Sequence, residues 1–324
     1  MPRLRLLAVI LLSLAASTSA RGKADAGASR PTRSQQPHAA SVVEPAQFGE
    51  VKQIGSGPQP MILMPCLGCD WRAFDQFMTC NAGKYRMYAV TWPGMGTTAL
   101  PRVPAASGET PLVSNVIAAL VKLVRDEKLE KPILVGHSAA GPVAIRFAAE
   151  FPQLVGRVIT VDATIQNDKT LGFSPADRRK WAESEMAEVL REYDSDEAWL
   201  QLNTPKPGSL PDQQRLDMYK SMWLAPPRAH VFAYWKEWLM VDAGRLLPEI
   251  KVPTLALFAI AADTQDPNGF RARIREQFRK NRASSSIVVE FVEPATHSIW
   301  ETQPAAFDRV VESFLKAEGA GDRN

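Results

Sequence analysis

The feature that most constrains this chain is the stretch Lys131-Pro132-Ile133-Leu134-Val135-Gly136-His137-Ser138-Ala139-Ala140-Gly141. An apolar run ends in a glycine and a histidine, a serine follows, and the next three residues are all small. The pattern then continues as a helix through Phe147 to Glu150. A buried strand that turns sharply into a helix brings the two backbones close together, so small residues are needed around the turn. A serine at the tip is lifted clear of the sheet, and the N–H behind it points to where an oxyanion would form. A serine hydroxyl is a weak nucleophile until a base takes its proton. This stretch therefore directs the search to a base and to an acid that would orient it.

The rest of the chain alternates short apolar runs with amphipathic segments. Strands are expected at Phe48 to Ile54, Met61 to Met64, Arg86 to Thr91, Val158 to Val161, Thr254 to Ile260 and Ile287 to Val292. Helices are expected at Trp71 to Thr79, Asn115 to Glu127, Phe270 to Arg282 and Phe307 to Leu315. Alternation of this kind predicts an α/β fold with a mostly parallel sheet and right-handed crossovers. Reactive groups then gather at the carboxyl ends of the strands. From about Ile165 to Pro248 the alternation stops. That region reads as helical, is broken by prolines, and holds Trp181, Trp199, Trp223, Trp235 and Trp238, five of the eight tryptophans.

The stretch around Ser138 resembles the nucleophile elbow of the α/β-hydrolase family, Gly-x-Ser-x-Gly, with Ala140 in the second glycine's place and Gly141 one position late. The resemblance runs from about residue 48 to 316. It implies an α/β-hydrolase sheet flanked by helices with an inserted helical cap, divided as core 48–164 and 249–318 and cap 165–248. The segment Pro65-Cys66-Leu67 looks like the family's Pro-Gly version of the oxyanion loop with Cys66 in the glycine place. That implies Leu67 and Ala139 as the N–H donors, with Cys66 a nearby alternative. The segment His297 to Pro304 resembles the family's His-x-x-x-x-Glu-x-Pro, which implies His297 as the base. Of the four histidines, His38 falls in a linker, His137 adjoins the serine and should point away from it, and His230 falls in the cap. The resemblance places the acid at the end of the strand before the His297 strand, which favours Asp263. Asp266 and Asp162 remain alternatives, the latter at the end of the strand after the elbow. No metal or organic cofactor is implied.

The implied activity is that of a serine hydrolase, a carboxylesterase acting on an apolar acyl or aromatic ester through a Ser-His-Asp triad and an acyl-enzyme. Trp223, Trp235 and Trp238 are expected to line the pocket. The same triad supports acyltransferase, lyase and perhydrolase chemistry, and the same fold supports a non-catalytic binder of an apolar ligand. The partner is a small-molecule substrate, and the oligomeric state is open.

Charge and targeting complete the reading. Six of the 38 basic residues and two of the 35 acidic ones lie in residues 1–46, which leaves the remainder with a net charge of −1. No basic stripe stands out, so nucleic acid is not an expected partner. Residues 1–20 read as a signal peptide: Arg3 and Arg5 precede an apolar run too short to span a bilayer, and Thr18-Ser19-Ala20 offers a cleavage site. Residues 21–47 read as a disordered linker. A periplasmic or secreted protein follows, with no stable membrane insertion after cleavage. Export allows a disulfide among Cys66, Cys69 and Cys80, and Cys69–Cys80 is the expected pair.

Overall fold

Three strands in the middle of the sheet are apolar along most of their length, and burial on both faces explains why. In β2 (Gln59–Met64) and β4 (Ile133–His137) every residue is buried apart from Gln59. In β5 (Arg157–Val161) only Arg157 is partly exposed. Such runs are what a parallel sheet covered by helices on both sides requires. The sheet has seven strands in the order β1-β3-β2-β4-β5-β6-β7. It adds β3 (Tyr85–Thr91), β6 (Thr254–Ala259) and β7 (Ile287–Val292), all parallel. Only β1 (Glu50–Ile54) runs antiparallel, and it lies exposed at one edge on β3. The structure, a computed structural model, describes residues 46–102, 109–165, 170, 172–204, 210–281 and 283–317. The expected signal peptide and nearly all of the expected linker, with His38, lie outside the described residues.

Helices cover both faces. A short 3₁₀ turn, Trp71–Phe74, leads into α1 (Asp75–Cys80). In α2 (Pro111–Asp126), Leu112, Val113, Val116, Ile117, Leu120, Leu123 and Val124 form one buried stripe at helical spacing. The elbow helix α3 (Ala140–Glu150) is buried along most of its length. α8 (Pro267–Lys280) crosses over from β6 to β7, and α9 (Ile299–Thr302) and α10 (Pro304–Ala317) lie on the side of α1, where Phe74 stacks on Trp300 and Phe77 meets Phe307.

The insertion between β5 and β6 holds α4 (Pro175–Glu192), α5 (Asp196–Asn203), α6 (Gln213–Leu224) and α7 (Arg228–Met240). It has an interior of its own. Trp199, Phe232 and Trp235 meet with ring centroids 5.6 to 6.3 Å apart, and the Trp199 indole N–H donates to the Trp223 carbonyl at 3.0 Å. It is tied to the core by buried charge. Glu237 of α7 accepts the Leu112 and Val113 N–H groups at 3.0 and 2.9 Å, satisfying free donors at the start of α2. Burial pushes the Glu237 carboxyl up, against the pull of those two N–H groups. Among the described residues, no helix is long and apolar enough to cross a membrane.

The cysteine expectation is corrected. Cys66 pairs with Cys69, and Cys80 is free and exposed at the end of α1. The loop turns back on itself within four residues, so Cys69 meets Cys66 before α1 begins.

Candidate active site

Ser138 is where β4 stops and α3 begins, and its backbone is left-handed, with φ at 56°. A non-glycine residue adopts that conformation only when its surroundings impose it. Here the Ser138 N–H donates to the Val161 carbonyl at 2.9 Å, and the Gly141 N–H donates back to the Ser138 carbonyl at 2.9 Å. The late glycine now has a reason. A β-carbon on Gly141 would stand 2.2 Å from the β-carbon of Ala163, whereas the methyl group of Ala140 is accommodated in a fully buried position. The position that this junction needs bare is 141.

The neighbouring strand supplies a carboxylate. β5 pairs directly with β4, with His137 opposite Val161, so Asp162 comes up beside Ser138. Asp162 is also left-handed, with φ at 44°. Its N–H donates to the Leu257 carbonyl at 2.7 Å, and its Oδ1 accepts the Ala259 N–H at 3.1 Å. The carboxylate is thus fixed between β5 and β6, with Oδ2 turned outward. The Nδ1 of His297 lies 2.6 Å from that oxygen.

The His297 ring therefore meets Asp162, the alternative acid of the sequence reading. Asp263 is exposed in the loop after β6, and Asp266 accepts the Gly269 N–H at 2.8 Å as the N-cap of α8. The carboxylate on the His297 ring comes from the strand next to the elbow. The strand beyond it supplies only the Leu257 carbonyl and the Ala259 N–H that hold that carboxylate.

His297 follows β7 and is held from several sides. The Nε2 of His137 lies 3.0 Å from the His297 carbonyl; a carbonyl only accepts, so Nε2 carries the proton. The two imidazole rings are 4.5 Å apart, and His137 also meets the edge of Trp300. His137 is buried, its Nδ1 has no hydrogen-bond partner, and its pKa is well below the ordinary histidine value. Burial is the main cause, with the neighbouring His297 ring adding to it. Beyond His297, Tyr219 of α6 brings its hydroxyl within 3.5 Å of both Ser298 and Glu301. Glu301, whose side chain is fully buried, pairs with Arg215 of α6, which also holds Asp75 of α1. The sequence reading missed Tyr219 and Arg215, and it expected His137 to point away from the serine without giving it the His297 carbonyl as a partner. The one available signal for His137 was its place at the end of the apolar elbow run.

Two backbone N–H groups follow the carboxyl ends of the paired strands β2 and β4. Among the described residues, neither Leu67 nor Ala139 donates its backbone N–H to another group. Ala139 is buried directly after Ser138 and Leu67 is half-buried in the loop after β2. Ser138 is half-buried, and no hydrogen bond joins its hydroxyl to the His297 ring. Of the three tryptophans expected to line a pocket, Trp223 reaches this loop. Its Cδ1, with Cγ1 of Val231, lies 3.8 Å from where a side chain on Gly68 would begin. Trp235 is instead in the interior of the cap, and Trp238 is half-buried on α7.

The comparisons agree with this fold. Residues 61–310 match the Alpha/beta hydrolase family, and the chain belongs to it. It is a hydrolase-family enzyme with a mostly parallel sheet and an inserted set of helices. No curated protein sequence matches it. Similar solved structures include an esterase from Exiguobacterium antarcticum (18% identity, 82% of this chain and 94% of that one, TM-score 0.62). An enol-lactonase from Burkholderia xenovorans LB400 is similar at 17% identity (82% and 95%, TM-score 0.57). A mutant of an epoxide hydrolase from Bacillus megaterium is similar at 14% identity (82% and 96%, TM-score 0.60). Their different activities on one fold show that the chemistry has to be argued from the site.

Proposed function

We propose that this chain is a serine hydrolase cleaving carboxylic esters with an apolar acyl or aromatic group, using Ser138, His297 and Asp162. The observation that carries the reading is the 2.6 Å contact between His297 Nδ1 and Asp162 Oδ2, set beside a serine held in a left-handed turn. A carboxylate on Nδ1 fixes the proton there and leaves Nε2 as the free base. The Ser138 hydroxyl meets that nitrogen in the substrate complex, where catalytic hydrogen bonds tighten.

Ser138 Oγ attacks the ester carbonyl while His297 takes its proton. The N–H groups of Leu67 and Ala139 hold the resulting oxyanion. His297 then protonates the leaving alcohol, and the acyl group stays on Ser138. A water that gives its proton to His297 releases the acid in the second half. The apolar cap, with Trp223 over the oxyanion loop, favours small substrates with an apolar acyl or ring-bearing part. Replacing Ser138 by Ala should abolish both p-nitrophenyl ester hydrolysis and labelling by a fluorophosphonate. Turnover retained in that variant removes Ser138 from its role.

A further inference from the structure

The Cys66–Cys69 disulfide encloses only Leu67 and Gly68, and Leu67 carries one of the two N–H groups assigned above to the oxyanion. Resting on that reading, we propose that the disulfide positions the Leu67 N–H, so that the enzyme is catalytically strong as the disulfide and weak as the dithiol.

The loop is anchored on both sides. Upstream, β2 ends at Met64, paired in register with Gly136 of the elbow strand. Downstream, Asp70 caps the Trp71–Phe74 turn by accepting the Arg72 N–H at 2.9 Å, and the Trp71 N–H donates to Thr91 Oγ1 at 3.2 Å. Residues 65–69 lie between these anchors. Within them, the Cys69 N–H donates to the Cys66 carbonyl at 3.0 Å, and Gly68 has φ at 78°. Glycine with positive φ in the third place of a four-residue turn is the type II signature. Such a turn leaves the N–H of its second residue, Leu67, outside its own hydrogen bond. One backbone hydrogen bond is a weak latch for a four-residue turn in contact with water. The disulfide spans the same four residues and makes the closed form the only one available.

The two sulfurs are unequally reachable. Cys69 is fully buried and Cys66 is half-buried. A dithiol reductant therefore attacks Cys66 Sγ. The S–S bond breaks, its electron pair goes to Cys69 Sγ, and that sulfur takes a proton. The second thiol of the reductant then closes onto the first, releasing Cys66 as a thiol. Two electrons and two protons reach the protein, and the reductant leaves as a cyclic disulfide. Access from the cap side is narrowed by Trp223 and Val231 at Gly68, so a small dithiol such as dithiothreitol is the fitting probe.

An oxyanion donor acts on the transition state and little on the bound substrate. The loss must therefore fall on kcat and not on KM. A displacement of about 1 Å costs on the order of a hundredfold, and that is the expected fall in kcat. The test uses the full protein carrying Cys80→Ser, which removes the exposed third thiol. Hydrolysis of a p-nitrophenyl ester is followed before reduction, after dithiothreitol, and after reoxidation, with the thiols counted by alkylation and mass. The expected result is a fall in kcat of about a hundredfold at unchanged KM, restored on reoxidation. The variant C66S/C69S should sit at the reduced level and ignore the reductant. If that variant does not fold, the reduced protein, checked by circular dichroism, supplies the same state. Fully reduced protein with unchanged kcat, or a change in KM alone, overturns the proposal while fluorophosphonate labelling of Ser138 keeps the hydrolase reading standing. Oxidised protein that neither turns over ester nor takes the label overturns both.

Discussion

Replacing Asp162 by Asn tests the assignment of the acid, and its size can be worked from the structure. As Ser138 gives up its proton, His297 becomes a cation whose Nδ1 lies 2.6 Å from Asp162 Oδ2. Taking the two charge centres as about 4 Å apart, at an effective dielectric constant of about 20, the carboxylate contributes about 4 kcal/mol to that cation. Each 1.36 kcal/mol is about tenfold in rate, so loss of the charge alone slows the reaction about a thousandfold. The amide adds a second penalty. Its oxygen keeps the Ala259 N–H that Asp162 Oδ1 now accepts, so its NH₂ faces His297 Nδ1 and drives the ring proton to Nε2. That tautomer cannot serve as the base, and the total loss is about 10³- to 10⁴-fold in kcat/KM. The assay is p-nitrophenyl ester hydrolysis with far-ultraviolet circular dichroism as the folding control, run in parallel on Asp263→Asn. Asp263 is exposed beyond the β6 end, and its variant should stay within about threefold of wild type, as surface substitutions do. An Asp162→Asn enzyme that keeps a tenth of its activity, or an Asp263→Asn enzyme that loses a thousandfold, refutes the reasoning.

Two other outcomes follow from buried charge. His137 is fully buried and its folded pKa lies well below the unfolded value of 6.5. The unfolded chain thus binds the extra proton first, and stability is lost as pH falls below about 6.5. Urea unfolding should show the wild type losing about 1.4 kcal/mol per pH unit more than His137→Gln between pH 6.5 and the depressed folded value; parallel curves would exclude the idea. Arg215→Met leaves Glu301, with no exposed side-chain surface, buried without its cation, at a cost of about 3 to 5 kcal/mol near neutral pH. Burial already pushes the Glu301 carboxyl up against the pull of Arg215, and the variant raises it further. The deficit should therefore shrink as pH falls and Glu301 takes a proton; a deficit that grows in acid refutes it.

The strands, the elbow and the histidine were legible because each is a local pattern: an apolar run, a small-residue turn, one histidine after the last strand. The carboxylate that meets the His297 ring was not, because it depends on which strands are neighbours. Asp162 and Asp263 both follow apolar strands and look alike in sequence. Only the order β4-β5-β6 puts the first beside Ser138 and makes the second strand a support for it. The disulfide failed for a related reason. A helical stretch between Cys69 and Cys80 suggested a bridge across its ends, whereas Gly68, with φ at 78°, folds the chain back within the preceding turn. The tryptophans of the cap share one composition and divide by packing. Trp199 and Trp235 close the interior of the cap, and Trp223 faces the core.

The two left-handed residues of the site, Ser138 and Asp162, end adjacent strands. Each is in a conformation that costs on the order of 1 to 3 kcal/mol for a residue with a side chain, so each has to be held by its surroundings. Both are held by backbone bonds of the sheet: Ser138 N–H on Val161, and Asp162 N–H on Leu257. The sheet's own backbone bonds therefore fix the proposed nucleophile and acid. His297 is different. It sits on a loop after β7, two strands from β5, and reaches the site only because Asp162 holds its ring, His137 holds its carbonyl, and Tyr219 and Arg215 of the cap hold the residues just after it. Of the three proposed triad residues, His297 is thus the one whose neighbours in the chain are held by the inserted helices. Changes in the cap should reach the chemistry through His297 and through the contact of Trp223 and Val231 with the loop at Gly68.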